Sequence, residues 1–173
     1  MKLFLVFASV IAIIGVFPTS IAKADDTEKA IDAGSYKADH FAPCAACHLA
    51  DGSGIPGAFP GIRNRAAAMA VLAGGRRYLI SVVSYGLMGP ITADGTAYAG
   101  VMPGHGGSMQ IDAIADALNF LVFQLSDDFP AGLAAFTSFE VAAVQNETEN
   151  ASPTTAANMR KALVEQHGGE WPN

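Results

Sequence analysis

Cysteine is almost absent from this 173-residue chain: there are two, Cys44 and Cys47, beside a single tryptophan. That excludes a disulfide-built scaffold, because one bridge between such close neighbours closes too small a loop to restrain the unfolded chain. Basic residues are scarce as well, 10 against 16 acids, which argues against nucleic acid as a partner. Nor is there an apolar run of the roughly 20 residues that a membrane-spanning helix needs. The longest, Leu3 to Phe17, has about fifteen. It follows Lys2 and gives way to small residues ending in Ala22-Lys23-Ala24, ahead of Asp25-Asp26, the layout of a cleaved export signal. Residues 1–24 are therefore expected to be a signal peptide. The periplasm is the expected destination, with no stable membrane span after cleavage; an uncleaved anchor is the alternative. Cleavage removes Lys2 and Lys23, leaving eight basic residues against 16 acids, a net charge of −8. Such a surface is either simply solvated or suited to a basic patch on a partner, where complementary charge chiefly raises the on-rate.

What is present is the string Cys44-Ala45-Ala46-Cys47-His48. A thioredoxin-type pair needs a preceding strand and a parallel sheet, neither of which the sequence suggests. Structural zinc wants four side-chain ligands, and this stretch offers three at most. Cys-x-x-Cys-His is also the attachment signature of c-type haem. Two intervening residues on a helical turn match the separation of the two vinyl groups to which the thiols add, and the adjacent imidazole then faces the iron. One haem c, covalent through Cys44 and Cys47 with His48 on the metal, is the expectation. The second ligand is sought among methionines, whose thioether favours reduced iron. Met102 leads, because it stands in the glycine-flanked segment Tyr98-Ala99-Gly100-Val101-Met102-Pro103-Gly104, where Pro103 biases it towards extended backbone. Met88, Met109 and His105 are the alternatives. Phe59 and Tyr98 are expected to flank the ring, since aromatic bodies bury large areas.

From about Tyr36 to Phe123 the residues resemble the class I (monohaem) cytochromes c. Cys44 to His48 is similar to that family's haem-binding motif, Asp51-Gly52-Ser53-Gly54 to the turn after it, and Ile55 to Ile62 to its proline-bearing loop. The stretch from Gly89 through Tyr98, Gly100, Met102 and Pro103 resembles the loop presenting the distal methionine, and Asn119-Phe120 resembles part of the last family helix. The resemblance implies that Pro60 lends its carbonyl to Nδ1–H of His48, orienting the ring. It also implies an all-α fold of three to five helices around one covalent haem. The cytochrome domain would occupy 25–126 and a C-terminal helical extension 127–173.

Along the chain, a helix is expected over Lys29 to His40, with Ile31, Tyr36 and Phe41 facing inward and Pro43 interrupting any continuation. Glycine and proline make Ala50 to Pro60 irregular. Helices follow over Arg65 to Leu72, Arg76 to Gly86 and Ile111 to Leu125. The last has Ile111, Ile114, Ala115, Leu118, Leu121, Val122 and Leu125 at helical spacing. In the extension, Thr137-Ser138-Phe139-Glu140 has the form of a capping box. Ser152-Pro153 starts a second helix over Ala156 to His167. Phe136, Phe139, Val141, Val144, Leu163 and Val164 either pack on the body or form a docking element. Arg63, Arg65, Arg76 and Arg77 are candidate partners of haem propionates. His40 and His167 stand in no special context, and His105, where it is not the ligand alternative given above, is expected to be a surface group.

These readings point to a periplasmic single-electron carrier rather than an enzyme. Its expected partners are periplasmic redox proteins: it is either a soluble shuttle between a dehydrogenase and a terminal oxidase, or the haem subunit of a dehydrogenase complex. A haem enzyme or gas sensor with a labile sixth iron position is the alternative. A structural exported module with a chance motif is a third reading.

Overall fold

The computed structural model describes residues 36–128, 130–148 and 150–172. The expected signal peptide and the first part of the helix expected from Lys29, Ile31 included, lie outside them. The all-α expectation needs correction. Among the described residues, six α-helices accompany one two-stranded antiparallel ribbon.

Helix α1, Ala38–His48, runs straight through Pro43, contrary to the expected break. The proline lacks one helical N–H, but Pro43 and the upstream Asp39 are both exposed, so water can satisfy the freed carbonyl. Phe41, Cys44 and His48 are buried along one stripe of this helix, and that burial holds the helix together. It crosses α4, Ile111–Asn119, which continues into a π-helical turn, Phe120–Gln124. Phe41 meets Phe120 with ring centroids 5.4 Å apart. His40 Nδ1 lies 2.7 Å from Asp116 Oδ2 at the same crossing, so His40 does have a defined partner. Tyr36 stacks on Phe123 at 5.8 Å.

Short α2, Arg65–Ala70, leads into α3, Gly75–Tyr85. Gly86 then turns the chain into β1, Gly86–Ala93, which pairs with β2, Thr96–Pro103. Gly86 has φ +85°, and a Cβ there would lie 2.3 Å from Met102 O; only glycine fits. The turn is the dipeptide Asp94-Gly95 with φ of +49° and +71°, the twist-matched connection of a tight hairpin.

The C-terminal segment folds back onto this body. Asn119, 4% exposed, donates from Nδ2 to Phe136 O at 2.9 Å and accepts from Phe136 N at 2.6 Å. That bond pair places α5, Ser138–Glu147, against α4. Thr137 caps α5 by accepting from Glu140 N, as its position suggests, but the Glu140 carboxylate turns to Arg76 instead of completing a box. Helix α6, Pro153–His167, starts in a reciprocal Ser152/Thr155 capping box and lies against α3 and β1. Phe136, Val141, Val144 and Leu163 are buried and Val164 partly so, whereas Phe139 is 83% exposed and packs on nothing inside. Trp171, only 2% exposed, meets Tyr78 edge-on at 5.5 Å. His167 ties the end of α6 to the body, with Nε2 2.9 Å from Ala73 O. Among the described residues no helix is long and apolar enough to cross a membrane.

Candidate cofactor site

Helix α1 ends at His48, and Leu49, with φ +64°, sends the chain into a folded loop. Gly54 N donates to His48 O at 2.9 Å, and Ile55 bridges to Phe59. A Cβ on Gly54 would lie 2.5 Å from Phe59 O, so the loop closes this tightly only because residue 54 is glycine. Closure brings Pro60 O to 2.8 Å from His48 Nδ1. A carbonyl only accepts, so Nδ1 carries the proton and the Nε2 lone pair is left for another partner. Burial lowers the pKa of His48 and the Pro60 carbonyl opposes that shift; the net effect favours the neutral ring that can bind a metal.

Cys44 and Cys47 sit on the same helix, not bonded to each other. Burial pushes the Cys44 thiol up to about 11, with a smaller push from Cys47 against the lowering pull of a backbone hydrogen bond. A dithiol redox catalyst requires the opposite, a depressed thiol pKa. Among the described residues no three His, Cys, Asp or Glu cluster as a metal group.

The opposing element is a strand. The sequence suggests a loop around Met102; the residue lies in β2, paired with Leu87. Since side chains alternate along a strand, Leu87, Gly89 and Ile91 share a face with their partners Met102, Gly100 and Tyr98. That face lines a cavity with about 590 Å³ of empty space, together with Cys47, Phe59 and Pro60. A second cavity is walled by Cys44 and by apolar side chains of α1, α2, α3 and α4. The two share His48, Pro60, Leu87, Ile91 and Met102 in their walls. Between them, these two adjoining cavities, together the cleft, are lined by all seven residues singled out in the sequence, Cys44, Cys47, His48, Phe59, Pro60, Tyr98 and Met102.

The cleft fits a flat, largely apolar group. At Gly89 and Gly100, paired across the ribbon, an added Cβ would meet nothing within 4 Å. Two adjacent strand positions thus lack side chains just where the wall faces empty space. A covalently held haem would have its thiol partners in Cys44 and Cys47, and imidazole and thioether donors in His48 and Met102.

The other ligand alternatives lie elsewhere. Met88, 40% exposed, receives a hydrogen bond from Thr154 Oγ1 at 3.2 Å. Met109 packs against the core from outside the cleft, and His105 follows the ribbon with its N–H on Val83 O. Met69, within the helix expected over Arg65 to Leu72, lines the cavity that Cys44 walls. Of the four candidate arginines, Arg63 pairs with Asp127, Arg76 with Glu140 and Arg77 with Glu147. Only Arg65 reaches the cleft, and it is joined there by Arg160 of α6, which no local sequence signal marks.

No family model matches the chain. Over 102 residues it is 40% identical to a cytochrome c-552 of Thermus thermophilus, covering 58% of this chain and 77% of that protein. A second cytochrome c-552 from the same species is also 40% identical over 102 residues, 68% of its length.

Proposed function

The chain belongs to the class I monohaem cytochromes c, and from that membership we propose that it is a periplasmic single-electron carrier with one haem c, held through Cys44 and Cys47 and ligated by His48 and Met102. The observation that carries this reading is the His48 geometry. Nδ1 is committed to Pro60 O at 2.8 Å, in a cleft whose walls also hold both thiols and Met102. Bound there, haem supplies reversible one-electron transfer. The residues do the rest: Pro60 fixes the ring and tautomer of His48, the apolar walls exclude water, and Met102 would supply a thioether to the iron, leaving no open position for a substrate. Phe59 at 39% exposure and Val101 at 68% leave apolar surface beside the cleft, where electrons can pass to a partner.

Of the two versions of the carrier, the soluble shuttle is favoured. Most of the extension's apolar residues, Phe136, Val141, Val144, Leu163 and Trp171, are used within the chain, and Phe139 is the one singled out in the sequence that stays exposed, a small display for a large subunit. A periplasmic dehydrogenase and a terminal oxidase are the proposed donor and acceptor.

Optical spectra of the purified protein, oxidised and reduced, test the reading beside a Met102→Ala variant. A c-type haem spectrum with a near-infrared sulfur-to-iron band that disappears in the variant is expected. A band that survives the substitution would move the distal ligand elsewhere. No band in the wild type, with ready carbon monoxide binding, would put a haem enzyme or gas sensor first. Purification of the protein from periplasm without a larger subunit is the expected result for a shuttle.

A further inference from the structure

We propose that the end of α5 braces the methionine wall: Gln145 and Tyr85 are positioning residues that hold the stretch just after Met102 and so keep its thioether on the haem iron. The proposal rests on Met102 being the distal ligand.

The end of α3 and both outer ends of the ribbon meet at one junction. After Met102 and Pro103 the chain doubles back across the last turn of α3. His105 N donates to Val83 O at 2.8 Å and Gly106 N to Ser84 O at 2.9 Å. The approach is close: a Cβ on Gly104 would lie 2.5 Å from Tyr85 C, and one on Gly106 2.8 Å from Ser84 O. Glycine at both places lets backbone rest on backbone. Where Met102 sits therefore depends on where Ser84 and Tyr85 sit.

The extension holds those two residues. Gln145, on the last turn of α5, donates from Nε2 to Ser84 Oγ at 3.0 Å, and its carbonyl accepts from Tyr85 OH at 3.0 Å. Thr148 Oγ1, just past the helix, lies 3.0 Å from the same phenol oxygen. Ser84 is only 5% exposed. The Gln145 amide also reaches the doubled-back stretch itself, 3.4 Å from where a Cβ on Gly106 would stand. Apolar packing would suffice to attach α5. Hydrogen bonds add direction, and a buried hydroxyl deprived of its partner is costly, so the end of α3 has one favoured placement against α5.

The iron–sulfur bond needs such support. A two-stranded ribbon is marginal alone, and a neutral thioether gives way to a stronger nitrogen donor unless its backbone is held. Displacing Met102 moves β2 away from the cleft and pulls the 103–106 stretch off Ser84. The bonds of Gln145 and Tyr85 then oppose the displacement, as outer groups that orient a metal ligand do.

Imidazole titration of the oxidised, haem-loaded full chain reads this competition through loss of the sulfur-to-iron band. Gln145→Leu and Tyr85→Phe are each expected to show the band at the start and to bind imidazole about fivefold more tightly, the weight of one hydrogen bond. Ser84→Ala/Gln145→Leu should match Ser84→Ala, because the Gln145 amide acts through that hydroxyl. Val141→Ala is the control for a loosened α5. Val141 is fully buried and makes none of these side-chain bonds, so its truncation should lower unfolding stability and leave imidazole affinity at the wild-type value. Wild-type affinity in both Gln145→Leu and Tyr85→Phe would overturn the positioning role. So would additive effects in the double variant, or a rise in Val141→Ala equal to that in Gln145→Leu. Absence of the band from the wild type would overturn the ligation itself, and the proposal with it.

Discussion

The two walls of the cleft are built differently. The His48 wall is a helix end clamped from both sides: α4 crosses it through Phe41 and Phe120, and the 49–60 loop closes on it with Pro60 O on Nδ1. His48 is 7% exposed. The Met102 wall is a two-stranded ribbon whose outer residues, Met88 and Val101 among them, are exposed. An isolated hairpin is marginal in water, and this one leans on α6, a helix of the extension. Half the site is thus fixed by the crossing of family helices. The other half depends on a ribbon and on a segment some fifty residues further along the chain. The first wall should survive insults that the second does not.

The largest effect should come from removing the interior that both walls face. A cytochrome core of this size is marginal without help, and the two cavities lie between its helices. A Cys44→Ser/Cys47→Ser protein without haem is expected to lose cooperative thermal melting and much of its native helicity by circular dichroism. A sharp melt with wild-type helicity would show that the chain itself supplies the core. Hydrogen exchange on the same protein should open the ribbon amides first and those of α1 last.

Next in size is a change confined to the ribbon. Gly100→Val adds a residue well suited to strands, but its side chain enters the space facing the cleft. Ala99→Val makes a similar change on the exposed face. The first is expected to cut the yield of haem-loaded protein several-fold or to weaken the sulfur-to-iron band; the second should leave both unchanged. Equal behaviour of the two variants would mean that the ribbon face does not abut the cofactor.

The same contrast explains what could be read from sequence. Cys44 to His48 is legible because its chemistry is local, five residues on one helical turn. Helix α4 is legible because its apolar spacing extends over a dozen residues, although the π-helical turn at Phe120 to Gln124 leaves no such trace. The capping residues Thr137 and Ser152 mark the helices of the extension through side chains that act within three positions. The ribbon was hidden for a physical reason. Gly86, Gly89, Pro90, Gly100 and Pro103 break the alternation that announces a strand, and on the cleft side glycine is what the space requires. Asp94-Gly95 is a hairpin signal, and it was the available clue. Pro43 misled in the other direction, since tertiary burial of Phe41, Cys44 and His48 outweighs one missing helical bond. Arg160 had no clue, because its position is defined only when α6 reaches back to Thr92 and Tyr78.

The extension's attachment to the helical body can be tested separately from the ribbon. Arg76 donates from Nε and Nη2 to the Glu140 carboxylate at 2.7 and 2.5 Å, reaches Ala134 O at 2.7 Å, and lies 4.0 Å over the Phe136 ring. Arg76→Ala removes several charge-assisted bonds from a partly buried position and should cost about 2 kcal/mol in denaturant unfolding of the haem-loaded protein. A loss within about 0.5 kcal/mol would mean that Asn119 and the buried apolar residues hold the segment alone.

The smallest effect lies at the exposed start of the extension. Asp127 accepts from Asn64 Nδ2 at 2.9 Å and pairs with Arg63, while its own N–H donates to Asn64 Oδ1 at 2.7 Å. The Asn64 hydrogen bond and then the Arg63 bond hold its carboxyl below the ordinary value of 3.8. A folded-state pKa below the unfolded one contributes stability above pH 3.8, which is lost as pH falls through the depressed folded value. Both Asp127 and Arg63 are well exposed, so solvent screens the pair and the contribution is small. Asp127→Asn should therefore leave neutral-pH unfolding nearly unchanged and make the acid limb of the stability profile, below about pH 4, slightly less steep. An acid limb identical to wild type would show that the link between residues 63–64 and 127 contributes nothing to stability, and that the extension is secured by its other contacts, those of Asn119 and Arg76 among them.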